Sequence, residues 1–401
     1  MSWAGADQIN IEQYRSRGGY RRAAPFFEKK QTDLLSRSAL ICFSHLRWHF
    51  VYQRPQHLME RFAREHRVFF IEEPVATDAA EPWLESHTVE GEIRIVVPRL
   101  PGSLAGPQAA AIQRALLDEL LATEGVRRPF LYYFTPLALK FSDHVTGSLV
   151  VYDCMDELSA FAGAPPETIE LERALLARAH LVFTGGVSLF EAKRHLHPNV
   201  HAFPSSVDVA HFMQARVRRS DPEDQASVPR PRLGFYGVID ERLDIELIDA
   251  VAAMRPEWQL VMIGPVVKID PAVLPMRSNI HWLGPKLYEE LPLYLAGWDV
   301  ALLPFARNDS TRFISPTKTP EYLAAGRPVV STPITDVVRS YGAAGLARIA
   351  ATPEEFVEQC EMALRDARWP AGWLARVDRA LAQMSWDTTY ARMRELMRCA
   401  A

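Results

Sequence analysis

The chain has 401 residues, 48% of them apolar and 23% charged, and a formal net charge of −4. That length exceeds the roughly 100–200 residues of one domain and predicts two, and the slight acidity argues against a nucleic-acid partner. Four scattered cysteines (Cys42, Cys154, Cys360, Cys399) with no CxxC pair exclude a disulfide framework or a zinc knuckle and read as reduced thiols.

Residues 1–35 are polar and Arg-rich and predict a tail outside the folded body. Their opening, MSWAGADQINIEQYRSRGGY, lacks the apolar core of a secretory leader. No apolar run approaches the ~20 residues of a membrane span. A cytoplasmic location is therefore expected. Basic residues outnumber acidic ones from Arg15 to Arg67, which would suit peripheral contact with an anionic membrane at its inner face.

From Ser38 a strand–helix rhythm begins. Ala39–Ser44 (ALICFS) is a short apolar run of the kind buried in parallel sheets. Arg54–Glu65 follows with Leu58, Met59 and Phe62 on one helical face. Arg67–Ile71, Ile93–Val97, Phe130–Tyr133, Leu149–Tyr152 and Leu181–Thr184 read as further strands, with helices at Pro107–Thr123 and Glu167–Ala179. Residues 216–231 (RVRRSDPEDQASVPRP) are charged and Pro-bounded, which is linker composition. A second series follows: strands at Arg232–Val238, Gln259–Ile263, Val300–Pro304 and Pro328–Ser331, a helix at Asp244–Ala253, and a helical stretch from Pro353 to Met397. Alternating strands and helices in two blocks predict an α/β fold of two Rossmann-like, doubly wound parallel sheets facing a cleft. The boundaries are 36–215 for the first domain and 232–385 for the second.

Three segments carry chemistry. Leu302–Thr332 (LPFARNDSTRFISPTKTPEYLAAGRPVVST) passes from a strand through a polar loop into a helix, the arrangement that receives phosphates. Ser315 and Thr317 offer hydroxyls and Lys318 a charge. Glu321, three residues on, shares the face of Lys318 and can accept two hydrogen bonds from a sugar diol. Phe43–Pro55 (FSHLRWHFVYQRP) lies at the carboxyl end of the first strand. Its Arg47, Trp48 and Arg54, with Gln56 and His57 opening the next helix, suit sugars and phosphates. Tyr152–Leu158 (YDCMDEL) sets Asp153 and Asp156 after a buried strand, where one could take a proton from an acceptor hydroxyl. His195 and His197 have no partners at metal-ligand spacing, and there is neither a P-loop nor a G-x-S-x-G elbow.

The stretch PTKTPEYLAAGRPVV resembles the donor-site signature of GT-B glycosyltransferases of the family 4 group. FPSSVDVAHF (Phe203–Phe212) is similar to the family's interdomain turn. His281–Phe305 is similar to the stretch before its donor loop. FSHLRWHFVYQRPQH (Phe43–His57) resembles the opening of transferases of teichuronic-acid and exopolysaccharide pathways. The resemblance implies a metal-independent, cofactor-free transfer from a nucleotide-sugar, most often a UDP-sugar, to a polysaccharide, lipid-linked or other glycan acceptor. It implies that Glu321 holds the donor ribose and that Gly237, Arg242, Ser315, Thr317 and Lys318 cradle the diphosphate. By their position after buried strands, Arg47, Trp48, Arg54 and Gln56 are expected on the acceptor side, with Asp156, Asp153 or His57 as the catalytic base and His45 as a further candidate. The resemblance also implies that residues 386–401 cross back to the first domain. The chain departs from the pattern at Phe313, where the family carries a first glutamate, and at FYGVIDERLDIE (Phe235–Glu246), where it carries a Gly-rich phosphate segment. A UDP-sugar 2-epimerase on the same fold and a non-catalytic sugar-nucleotide-binding protein remain the alternatives.

Overall fold

A computed structural model describes residues 38–218, 220–365 and 371–401. The expected tail at 1–35, and the basic residues there that suggested membrane contact, lie outside the described residues.

The first domain is built on one sheet. Its strands are β1 (Ala39–Phe43), β2 (Arg67–Ile71), β3 (Val75–Thr77), β4 (Trp83–Val89), β5 (Ile93–Pro101), β6 (Phe130–Tyr133), β7 (Leu149–Cys154), β8 (Leu181–Thr184) and β9 (Val200–Ala202). The order is β3-β5-β2-β1-β6-β7-β8-β9, all parallel, with β4 pairing antiparallel onto β5. β1 and β7 are buried at every position, as central strands covered on both faces must be. Alternate side chains serve opposite layers. Leu40 and Cys42 pack with Phe62 and Tyr132, and Ile41 and Phe43 pack with Leu117 and Leu175.

The second domain carries β10 (Arg232–Tyr236), β11 (Gln259–Ile263), β12 (Ile280–Trp282), β13 (Val300–Leu303), β14 (Val329–Ser331) and β15 (Ala347–Ile349). They form a parallel sheet in the order β12-β11-β10-β13-β14-β15. The predicted helical stretch after Pro353 comprises Pro353–Arg365, Ala371–Leu381 and Trp386–Ala400. The last of these leaves its own domain. Trp386, Tyr390, Met393 and Met397 sit in the same core layer as Leu40, Phe62 and Phe183 of the first domain. Ser206 and Thr389 share a hydrogen bond of 2.6 Å beside them.

Both sheets reverse strand order once near the middle, between β1 and β6 in the first and between β10 and β13 in the second. At such a switch point the loops leaving the two strands part and open a crevice at the carboxyl ends. The segments after β1 and β7 and those after β10 and β13 supply most of the groups described next.

Candidate active site

The two switch points open onto one cleft of about 1140 Å³ lined from both domains. It is larger than the ~300–1,000 Å³ usual for one drug-sized ligand.

On the second domain's wall, β10 ends at Tyr236 and the chain turns at Gly237 with φ +140. An added Cβ at Gly237 would stand 2.1 Å from Cε of Lys318, so only glycine lets the lysine lie against the backbone here. Lys318 opens the short helix Lys318–Ala324, and its ammonium lies 5.7 Å from the Phe235 ring centre and 5.8 Å from that of Phe305. Burial, with Arg242 beside it, lowers its pKa to about 8 against the pull of Glu321, Asp240 and Asp156. One helical turn on, the Glu321 carboxylate accepts a 2.5 Å hydrogen bond from the Tyr236 hydroxyl. Burial raises its pKa to about 7, although that bond and Lys318 both favour the ion. Arg242 is held by Asp240, whose carboxylate accepts from Nε at 3.0 Å and from Nη2 at 2.6 Å. Tyr236, Gly237, Arg242, Thr317, Lys318 and Glu321 all line the cleft.

On the first domain's wall, Asp156 lines the cleft just past β7. Burial raises its carboxyl to about 6, opposed by the charges of Arg242 and Arg54. Its neighbour Glu157 is anchored: Lys193 reaches Glu157 at 2.6 Å and Glu172 at 2.7 Å. Phe161 projects from the same segment against the second domain, with Arg242 at 5.2 Å and Lys268 at 5.1 Å from its ring centre. His45 and Arg47 also line the cleft. Burial, then the nearby Lys268, lowers the His45 pKa to about 4, so it is neutral at physiological pH. Arg47 is engaged by Glu72 at 3.1 Å and by the Glu73 carbonyl at 2.7 Å.

Several expected site residues need correction. Asp153 and Arg54 are fully buried and bind one another, with Nε and Nη2 of Arg54 3.0–3.1 Å and 2.9 Å from the carboxylate. Tyr132 adds a hydroxyl at 2.7 Å, and Arg54 also donates to the Phe203 carbonyl. β7 runs to Cys154, so Asp153 lies inside the strand and turns under the sheet rather than into the cleft. Neither residue lines the cleft, where the sequence had placed both. Trp48 is buried edge-on against Phe70 at 5.1 Å. Gln56 is buried and spends its amide on the Trp48 and Val51 carbonyls, which fixes the loop from within. His57 is buried, stacked 4.5 Å from Trp386, and held well below the usual imidazole range by burial. It braces the last helix and does not line the cleft. Ser315 also lies off the cleft, with its Cβ 2.9 Å from where a Cβ on Gly186 would be. Phe313 packs against the first domain's core, with Arg312 5.0 Å from its ring centre.

Sequence reasoning passed over Tyr236, Asp240, Phe161, Lys268 and Tyr288, all of which line the cleft. Tyr236 had a visible signal, since FYG ends a strand at the glycine already singled out. Phe161 had none, because an apolar residue in a loop does not announce a cross-domain contact. Among the described residues no group of three or more His, Cys, Asp or Glu side chains is arranged to hold a metal ion, and no helix is long and apolar enough to cross a membrane.

Comparison with known proteins agrees with the two-domain fold. Residues 230–366 match the family model of glycosyl transferases group 1. Bacillus subtilis TuaH, named as a teichuronic acid biosynthesis glycosyltransferase, is 28% identical over 234 residues, which cover 54% of this chain and 59% of that protein. The match thus spans less than two thirds of that relative. Sucrose-phosphate synthase from Thermosynechococcus elongatus superposes with a TM-score of 0.69 at 15% identity, over 90% of this chain and 99% of that one. Anabaena HepE, solved in complex with UDP and glucose, gives 0.65 at 14% identity, over 90% and 100%. The E. coli trehalose-6-phosphate protein bound with UDP-2-fluoro glucose gives 0.64 at 11%, over 90% and 99%. The chain therefore has the two-domain GT-B fold of these glycosyltransferases, and its second domain matches the glycosyl transferases of group 1.

Proposed function

We propose that this chain transfers a sugar from a nucleotide-sugar, a UDP-sugar by analogy with its structural neighbours, to a hydroxyl of a glycan or lipid-linked acceptor. The observation that carries the reading is the placement of Lys318, Arg242 and Glu321 on one wall of the cleft with Asp156 on the other. The donor diphosphate lies against Gly237, Lys318 and Arg242, and the ribose diol on Glu321. Charge that builds on the leaving diphosphate is met by two fixed cations, a preorganised stabilisation that is usually the largest catalytic contribution. The reading requires neither metal nor cofactor, because Lys318 and Arg242 supply that charge. Asp156, with a carboxyl near 6, is largely ionised at neutral pH and can take the acceptor's proton. With its proton passing to Asp156, the acceptor oxygen attacks the anomeric carbon from the face opposite the diphosphate, whose bond to that carbon breaks, so the product anomer is inverted. The group 1 match and the UDP-bound neighbours support this reading.

The test is Asp156→Asn. Donor binding by calorimetry should be unchanged, and transfer to an added acceptor should fall by ~10²–10⁴-fold, the range of a general base. Turnover of the donor without any acceptor would favour an epimerase instead. A product that keeps the donor's anomeric configuration would remove Asp156 from the base role.

A further inference from the structure

The two domains meet at a second place, between the segments that leave the carboxyl ends of β8 and β14. Asp336, on the segment that follows β14, is buried and reaches across to the first domain. Its carboxylate accepts hydrogen bonds from the backbone N–H of Val187 at 2.9 Å and of Ser188 at 3.0 Å, the first residues of the helix Val187–Lys193. Gly186 makes the approach possible: a Cβ there would fall 2.3 Å from Oδ2 of Asp336 and 2.9 Å from Cβ of Ser315. At the other end of this helix stands Lys193, which grips Glu157, the neighbour of Asp156. Ser315 lies three residues before Lys318 in the loop that leads to the donor wall. The two contacts therefore close a loop around the cleft, from Lys318 through Ser315 and Gly186 along the helix to Glu157 and Asp156.

We infer that Asp336 is a positioning residue: it latches the second domain onto the helix Val187–Lys193 and so holds Asp156 opposite Lys318 and Arg242. The inference about catalysis rests on the transferase reading; the latch itself does not. Two backbone donors and the positive end of the helix favour a carboxylate in this contact. An amide in its place turns an N–H₂ toward a backbone N–H and loses one of the two bonds. Because the donor-facing side chains all sit on the second domain, opening the latch separates the walls without dismantling the donor side.

The experiment compares wild type, Asp336→Asn, Asp336→Glu and Gly186→Ala as full-length chains. Small-angle scattering reads domain separation, calorimetry reads binding of UDP, and steady-state transfer reads kcat and the donor KM. For Asp336→Asn and Gly186→Ala the inference expects a larger radius of gyration, UDP affinity within about twofold of wild type, and kcat lowered at least tenfold at little changed KM. Asp336→Glu, which restores the acceptor, should recover part of kcat. Unchanged scattering and unchanged kcat in both variants would overturn the latch. So would a parallel loss of UDP binding, kcat and thermal stability, since that is the mark of general unfolding. If wild type neither binds UDP nor transfers sugar, the transferase reading fails, and the scattering comparison still decides whether Asp336 holds the domains together.

Discussion

On the proposed donor site, the pH dependence of nucleotide-sugar binding follows from two buried groups with opposite charge requirements. Glu321 must be ionised to accept two ribose hydroxyls, and its pKa stands at about 7. Lys318 must be protonated to meet the diphosphate, and its pKa stands at about 8. Affinity for a nucleotide-sugar should therefore be bell-shaped, highest between about pH 7 and 8. At pH 6 roughly one Glu321 in eleven is ionised, which lowers apparent affinity about tenfold. At pH 8.5 about a quarter of Lys318 is charged, a loss of about fourfold. A nucleotide-sugar is the proper probe because its doubly esterified diphosphate does not titrate in this range. Lys318→Arg should abolish the alkaline limb, since a guanidinium stays charged. Glu321→Gln should abolish the acid limb and weaken binding by ~1.5–3 kcal/mol, the scale of hydrogen bonds to a charged group. Stability should move the other way. A carboxyl whose folded pKa is raised favours folding below its unfolded value near 4.5 and loses that contribution as pH rises through about 7. Glu321→Gln should thus be more stable than wild type at pH 8, by ~1–3 kcal/mol, with the gain vanishing near pH 4. Calorimetric affinities that stay flat from about pH 5.5 to 8.5, or an alkaline limb that survives in Lys318→Arg, would refute the reasoning.

Asp153→Asn should lower stability by ~3–5 kcal/mol in denaturant titration, because it leaves Arg54 buried without its counter-ion; Asp156→Asn, by the same linkage as Glu321→Gln, should be no less stable than wild type at neutral pH and above. Trp386→Ala should cost ~3–5 kcal/mol, through the cavity it leaves beside His57 and in the first domain's core, and the loss should appear in the same unfolding experiment. Gly237→Ala forces a side chain at φ +140 into the Lys318 methylenes, and should reduce nucleotide affinity at least tenfold while the second domain stays folded by circular dichroism.

The parallel strands with continuous apolar runs were legible because burial on both faces leaves no room for alternation, as in ALICF and LVVY. β4 was not: WLESHTV is half exposed, pairs antiparallel at the sheet's margin, and mixes charge with apolar residues. β12 and β15 are three residues each, too short for any period to show. At the site, Lys318, Glu321 and Gly237 could be read from a strand, a loop and a helix in fixed order. Asp153 and Arg54 could not, since they lie 99 residues apart and nothing local shows that two charges will be buried against each other. A strand two residues longer than its apolar run was enough to turn Asp153 inward. Trp48 and Gln56 shared a loop rich in cleft-facing chemistry, and only packing separated the residues that build the loop from those that face outward. Asp336 and Lys193 act through partners on other elements, which a linear reading does not join.

The last helix has a consequence for how the molecule is made. Trp386, Tyr390, Met393 and Met397 complete a core layer whose other members lie between Leu40 and Phe203. On the ribosome the first domain therefore emerges early yet lacks part of its interior until the helix Trp386–Ala400 is synthesised. Its sheet must wait, with the faces of Phe62, Tyr132 and Phe183 uncovered, while the entire second domain is translated and folds between the two parts of that interior. Exposed apolar surface of this kind is what chaperones bind. The order of synthesis thus lets the second domain complete its interior before the first, whose core layer closes only once the helix Trp386–Ala400 has been made.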